Sequence, residues 1–193
     1  IISLFVVAVA AAALAGWWLA RESPPHQGPL VLVSVTGLRA DRLDLYGAQG
    51  ASGGTAIDAL ARDGIVFDHA YTQSPQTLPS QTSLLTGLLP FEHRVRDDAG
   101  FVLADDTRTA AELLRNRGFA TGAAVSTFLL RRGTGVAQGF SFFDAERPDT
   151  AAREGARPAR SGADTWAAAR TWIEQQRSQR YFLFLQVDEI GRA

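Results

Sequence analysis

The chain contains no cysteine and no methionine among its 193 residues. Without cysteine there is no disulfide, no thiolate metal site and no cysteine nucleophile. Without methionine even at position 1, the chain is expected to be a fragment or a processed product of a longer one. Lysine is absent as well, and all 19 basic residues are arginine. Genome composition bias is the leading explanation, with guanidinium–anion chemistry the weaker alternative. Neither sign of charge is in excess: the net charge of −1 excludes nucleic acid as a partner held by electrostatics. What remains, at 46% hydrophobic and 20% charged, is a globular composition long enough for one domain with a substantial core.

One long apolar run is present. "IISLFVVAVAAAALAGWWLA" covers residues 1–20 without a charge, and Arg21-Glu22 and "SPPHQGP" follow it. About 20 residues at helical rise just span a bilayer core, and Trp17-Trp18 sits where an interfacial aromatic belt would lie. A transmembrane anchor is the first reading. A cleaved signal segment is the second, and a buried core helix the third. Either of the first two places the rest of the chain outside the cytoplasm, periplasmic or extracellular. Residues 21–29 then read as a linker, and residues 30–193 as the folded domain.

Beyond the linker, strand and helix signals alternate. Leu30 to Val35 is nearly continuous in apolar and β-branched residues, the mark of a buried strand. "AQGASGG" (48–54) reads as a flexible loop. The pattern predicts a helix over 55–64, with Thr55 as N-cap, Ile57, Leu60 and Ala61 on one face, and Gly64 closing it. Residues 65–70 read as a strand, and Pro79 to Thr86 as a short helix stopped by Gly87. Residues 105–118 read as a helix turning Ala110, Leu113 and Leu114 inward, and residues 119–126 as a strand. Residues 147–162 are rich in Pro, Gly and Arg and read as a surface loop. Ser161 and Asp164 then open a helix, and "YFLFLQV" (181–187) is another buried strand. Strands alternating with helices predict an α/β domain built on a mainly parallel central sheet.

The stretch richest in chemistry is "QSPQTLPSQTSLLTG" (73–87). Thr77 is expected just before a helix N-terminus, where free N–H groups and the helix dipole favour an anion. A hydroxyl there can attack phosphorus or sulfur while those N–H groups receive the developing charge. The plainer alternative is that Thr77 or Ser80 only caps the helix.

The order of "VLVSVTGLRADRLDLYG", "TAIDALARDGIVFDHAYTQSPQTLPSQTSLLTGLLP", "HRVRDD" and "VAQGFSFFDAE" resembles the sulfatase family, within the alkaline-phosphatase-like superfamily. The resemblance runs from about Leu30 to about Val187. It implies an alkaline-phosphatase-like α/β sandwich, of which this chain carries the N-terminal part, and the hydrolysis of small anionic sulfate or phosphate esters. Thr77-Leu78-Pro79-Ser80-Gln81 matches the family's nucleophile pattern, so Thr77 is implied as nucleophile and metal-bound oxygen. The absence of cysteine points away from the family's formylglycine route. Gln81 stands where a cationic or imidazole group is usual; it can hydrogen-bond a substrate but supplies no charge.

The family's first metal-binding Asp matches Thr36, whose neutral hydroxyl is a poor ligand for a hard dication. Arg39, in the turn after it, is a further candidate for the substrate side, with a plain Arg39–Asp41 surface ion pair as the alternative. "EHRVRDDAG" (92–100) implies His93 and Arg96 as substrate-side residues, with Asp98 where Asn is usual; a surface role is the alternative for His93. His69 is read as structural. An intact member would hold a divalent metal, either one calcium or paired zinc or manganese. The second ligand set lies downstream in the family, and here Asp188 and Glu189 come close to the end of the chain. A non-catalytic descendant, kept as an exported binding or scaffold module, is therefore the alternative to a working hydrolase.

Overall fold

The computed structural model describes residues 28–47, 56–145, 160–176 and 178–188. The expected apolar segment 1–20, most of the linker, the loop 48–54, the Thr55 cap, residues 147–159 and Glu189 lie outside them. Among the described residues, no helix is long and apolar enough to cross a membrane.

Strand β1 (Leu30–Thr36) leads through two short 3-10 turns to helix α1 (Ala56–Asp63). Helices α2 (Thr77–Thr86), α3 (Pro90–His93) and α4 (Ala110–Asn116) follow. Strand β2 (Ala120–Val125), strand β3 (Phe142–Asp144), helix α5 (Gly162–Gln175) and strand β4 (Tyr181–Asp188) complete the order. The strands form one sheet in the order β1-β4-β2-β3, and every pairing is parallel.

β4 lies inside the sheet and is covered on both faces, which is why its sequence is apolar throughout. Phe182 and Phe184 face a core made with Leu78, Leu85 and Val95, against which Leu30 and Leu32 also pack. Leu183 and Leu185 face the other way, onto Ala169 and Trp172 of α5. β1 is an edge strand covered on one side only, and Val31 and Val33 on its other face are 52% and 53% exposed.

Gly122 shows how tightly α5 is seated. A Cβ on Gly122 would come within 2.7 Å of three ring atoms of Trp172. That ring is itself held between Phe142, stacked at 5.7 Å, and the edge-on Tyr181 at 5.7 Å. Gly122→Ala is therefore expected to destabilise the fold by about 1–3 kcal/mol through overpacking. A lower urea midpoint at unchanged slope would show it, and an unchanged midpoint would mean that α5 yields freely.

Several expected elements differ. Residues 65–70 form no strand, because no neighbouring chain pairs with them; Ile65 and Phe67 are 85% and 70% exposed. α1 does not turn Ile57, Leu60 and Ala61 into a core. Its one buried residue is Asp58, whose carboxylate accepts the Leu45 N–H at 2.9 Å. The helix expected over 105–118 begins only at Ala110, because Thr109 and Glu112 form the capping box. It buries Ala111, with Leu114 half-buried and Leu113 largely exposed. Ser161 caps α5 as expected, accepting the Asp164 N–H at 3.1 Å.

Candidate active site

The C-terminal ends of the parallel strands converge on one edge of the sheet, where Thr36 of β1 lies in register with Asp188 of β4. Open α/β sheets place their ligands at such an edge. α2 starts nearby, and between it and β1 lies a cleft of about 630 Å³. Ser34 and Thr36 line one wall, and Ser80, Gln81 and Ser83 the other; every lining side chain is uncharged.

α2 begins at Thr77, two residues earlier than Pro79 suggested, so Thr77 is its first helical residue. The N-cap is Gln76, which makes no side-chain cap, and Ser80 Oγ donates to the Thr77 carbonyl at 3.1 Å. Neither Thr77 nor Ser80 caps the helix. Among the described residues, the Thr77 side chain has no hydrogen-bond partner. Asp98 performs the capping instead: its Oδ1 accepts the Leu78 N–H at 2.7 Å. A carboxylate from 20 residues away thus sits at the end of α2 where the dipole favours negative charge.

That internal anion opposes any second one at the same place. Two like charges about 4 Å apart repel by about 1 kcal/mol in bulk water and more where water is displaced. Asp98→Asn keeps an oxygen for the Leu78 N–H and removes the charge. It is expected to tighten binding of inorganic sulfate by about fivefold or more, as titration calorimetry would measure. Unchanged or weaker binding would mean that Asp98 lies outside the field of the anion.

Gln81 is buried, and its Oε1 has no hydrogen-bond partner in the structure, although the residue lines the cleft. A buried amide oxygen left unpaired costs about 1–3 kcal/mol, which a ligand donor would recover. Gln81 is thus a neutral residue of the cleft with an unused acceptor.

Thr36 is engaged otherwise than as a ligand. Its Oγ1 accepts from Gln186 Nε2 at 3.0 Å, and the same nitrogen donates to Asp188 Oδ1 at 2.8 Å. Gln186 Oε1 accepts the N–H groups of Ser126 at 3.1 Å and Thr127 at 3.3 Å. The donor set does not fit a hard dication, which wants several anionic oxygens. It offers one carboxylate and one hydroxyl, with an amide aiming protons at both. Among the described residues, no group of three or more His, Asp or Glu is placed to hold a metal.

His93 is placed differently from the substrate-side role the resemblance implied, and also from a surface role. It is 2% exposed, lies outside the cleft and borders a separate cavity of about 500 Å³ at the far end of α2. The Val95 N–H donates to its Nδ1 at 3.1 Å, so that nitrogen carries the lone pair and Nε2 the proton. Nε2 then donates to Ser83 Oγ at 2.9 Å. In this tautomer the ring cannot take the Ser83 proton, which rules out a serine–histidine nucleophile here. Burial holds the His93 pKa below the ordinary value, partly offset by backbone groups and Glu92. The folded state favours the neutral ring, so this contribution is complete above the unfolded value and is lost as pH falls through the lowered one.

Arg39 and Arg96 do not reach the cleft either. Arg39 donates to both Asp41 oxygens, at 2.8 and 2.6 Å, in a pair open to solvent. This is the plain turn ion pair, and it holds the Asp41 carboxyl below and the Arg39 guanidinium above their ordinary values. Arg96 is exposed. Sequence reasoning missed Gln186, Asp98 as a cap, and Ser83. The signal for Gln186 was available as a lone amide inside the apolar run of β4.

Comparison with known proteins bears on the family and the fold. The family model described as Sulfatase matches residues 30–189. An N-acetylgalactosamine-6-O-sulfatase of Bacteroides thetaiotaomicron is 33% identical over 84 residues, which are 42% of this chain and 16% of that protein. A protein solved in complex with its substrate D-glucosamine-2-N,6-O-disulfate superposes with a TM-score of 0.68 at 18% identity, covering 86% of this chain and 35% of the other. The phosphonate monoester hydrolase of Agrobacterium radiobacter gives 0.64 at 21% identity, over 83% of this chain and 41% of the other. At these identities the structures show the shared fold. The chain spans well under half the length of each of these relatives.

Proposed function

The chain belongs to the sulfatase family, and from that premise we propose that it forms the nucleophile-bearing part of a hydrolase of sulfate or phosphate esters. The observation that carries this reading is Thr77, at the first position of α2 with an uncommitted hydroxyl; it does not itself line the uncharged cleft but lies between Pro75 and Ser80, which do. Thr77 Oγ1 forms a bond to sulfur or phosphorus as the bond to the ester oxygen breaks, and the Thr77 proton passes through water to that oxygen. The ester oxygen departs as an alcohol, and water then releases the inorganic anion and restores the threonine. The Thr77 N–H is the one left at the start of α2 to receive developing charge, since Asp98 holds that of Leu78, Pro79 has none and Ser80 donates to the Gln76 carbonyl.

Sulfated sugars are the proposed substrate class. One relative is named for such a compound, another was solved with one as its substrate, and a wall of hydroxyls and amides suits a polyhydroxylated ligand. We also propose that residues 1–20 export the domain and either tether it to a membrane or are removed. The support is their uncharged apolar length, and fractionation of cells producing the full-length protein would test it.

The deciding experiment offers the full-length protein an aryl sulfate, an aryl phosphate and a 6-O-sulfated aminosugar, with calcium, manganese or zinc and after chelation. Release of inorganic sulfate or phosphate above the buffer rate supports the proposal. Binding of the sugar sulfate with no turnover under any condition would leave a non-catalytic binding module.

A further inference from the structure

Ser83 is a cleft residue whose hydroxyl accepts from a buried neighbour, as Thr36 accepts from Gln186 on the opposite wall. The Val95 N–H fixes the lone pair of His93 on Nδ1, so the imidazole proton lies on Nε2 and points at Ser83 Oγ. Ser83 is thereby an acceptor toward His93, and its own proton must go elsewhere. Other hydroxyls of α2 turn back onto the helix: Thr82 donates to the Leu78 carbonyl at 2.7 Å, and Thr86 to the Thr82 carbonyl at 2.8 Å. Ser83 makes no such bond among the described residues, and it lines the cleft.

Its position along the helix says what it meets. Ser83 lies six residues beyond Thr77, about 9 Å at helical rise. An oxygen of the ester group under attack by Thr77 stays within about 5 Å of the nucleophile, given a near-attack distance of about 3–3.5 Å. Ser83 lies beyond that reach but within the span of a sugar ring attached to the ester. We propose that Ser83 is a specificity-determining donor that binds a hydroxyl or ring oxygen of the alcohol portion of the substrate, with His93 as its positioning residue. The inference rests on the proposed function only in taking the same cleft as the substrate site.

The test is binding, measured by titration calorimetry on the full-length protein with 6-O-sulfated glucosamine and with inorganic sulfate, which lacks an alcohol portion. Ser83→Ala is expected to weaken the sugar ester about tenfold, the worth of one good hydrogen bond, and to leave inorganic sulfate unchanged. Equal loss for both ligands, or for neither, overturns the inference. His93→Gln, whose amide can still donate to Ser83, should keep the discrimination that His93→Phe loses. Where those variants fold poorly, the ring nitrogens of wild-type His93 supply the reading. Their 15N shifts should show the Nε2–H tautomer and respond to the sugar sulfate but not to sulfate; any other pattern overturns the inference. A wild type that binds the sugar ester without hydrolysing it fails the catalytic reading alone, whereas one that binds neither ligand fails both.

Discussion

Thr77→Ala is expected to lower kcat/KM for ester hydrolysis by about 10³-fold or more, roughly 4 kcal/mol of transition-state stabilisation. The hydroxyl is the group that would form the covalent bond, and no cysteine exists anywhere in the chain to replace it. Stability should barely move. The Thr77 side chain makes no hydrogen bond among the described residues, so its loss leaves no buried partner orphaned, and alanine is well tolerated in a helix. Inorganic sulfate should bind the variant about as well as the wild type. Thr77→Ser keeps the oxygen and should retain most of the rate. An alanine variant with more than about a tenth of the wild-type kcat/KM, a loss under about 1.4 kcal/mol, would remove Thr77 from the chemistry.

What could be read beforehand follows the range of the interaction. β4 was legible because a strand covered on both faces must be apolar along its length; β1 was legible from its β-branched run, although it is covered on one face only and not buried as expected. α5 was legible because Ser161 and Asp164 form a local cap. Residues 65–70 misled for the same reason that strands are easy to see. Ile65, Val66 and Phe67 have strand-like side chains, but a strand also needs a neighbour to pair with, and a local window does not contain one. α1 shows the converse, a helical pattern with no core to face.

The residue types of the candidate site were legible, and their wiring was not. Thr77 is the first helical residue of α2 instead of preceding it, and Gln81 lines the cleft. Thr36 occupies the expected strand end, yet its partner is Gln186, 150 residues away, and Asp98 reaches the start of α2 from 20 residues away. Contacts of that span depend on the register of parallel strands and on the path of a loop, and neither is encoded in a motif. His93 erred through exposure: a histidine within a polar run, "EHRVRDD", is in fact among the most buried polar residues.

Gln186 carries the other large expectation, about 4 kcal/mol lost on Gln186→Ala, close to 10³ in the unfolding equilibrium. It is fully buried and uses both amide hydrogens and both oxygen lone pairs, tying β1, β4 and the segment after β2 together. The Ser126 N–H has a second acceptor in the Gln186 backbone carbonyl at 2.9 Å, so its loss is partial. The buried Thr127 N–H has none and is left unpaired, which alone costs about 1–3 kcal/mol. Truncation adds a cavity, whereas Gln186→Leu fills the space and should lose only about 2 kcal/mol, the polar share. Equal losses for Ala and Leu would assign the whole effect to hydrogen bonds, and a loss below about 1 kcal/mol for both would mean that the strand ends hold without the amide. Gln186→Glu separates charge from geometry. It keeps an acceptor for Thr127 but sets a second carboxylate against Asp188, a repulsion that grows as solvent is excluded. That variant should be weakest at neutral pH and regain stability on acidification, as one proton comes to bridge the two carboxylates. Calcium or manganese should restore it at neutral pH, since two carboxylates and the Thr36 oxygen make a hard-oxygen set that the amide does not offer.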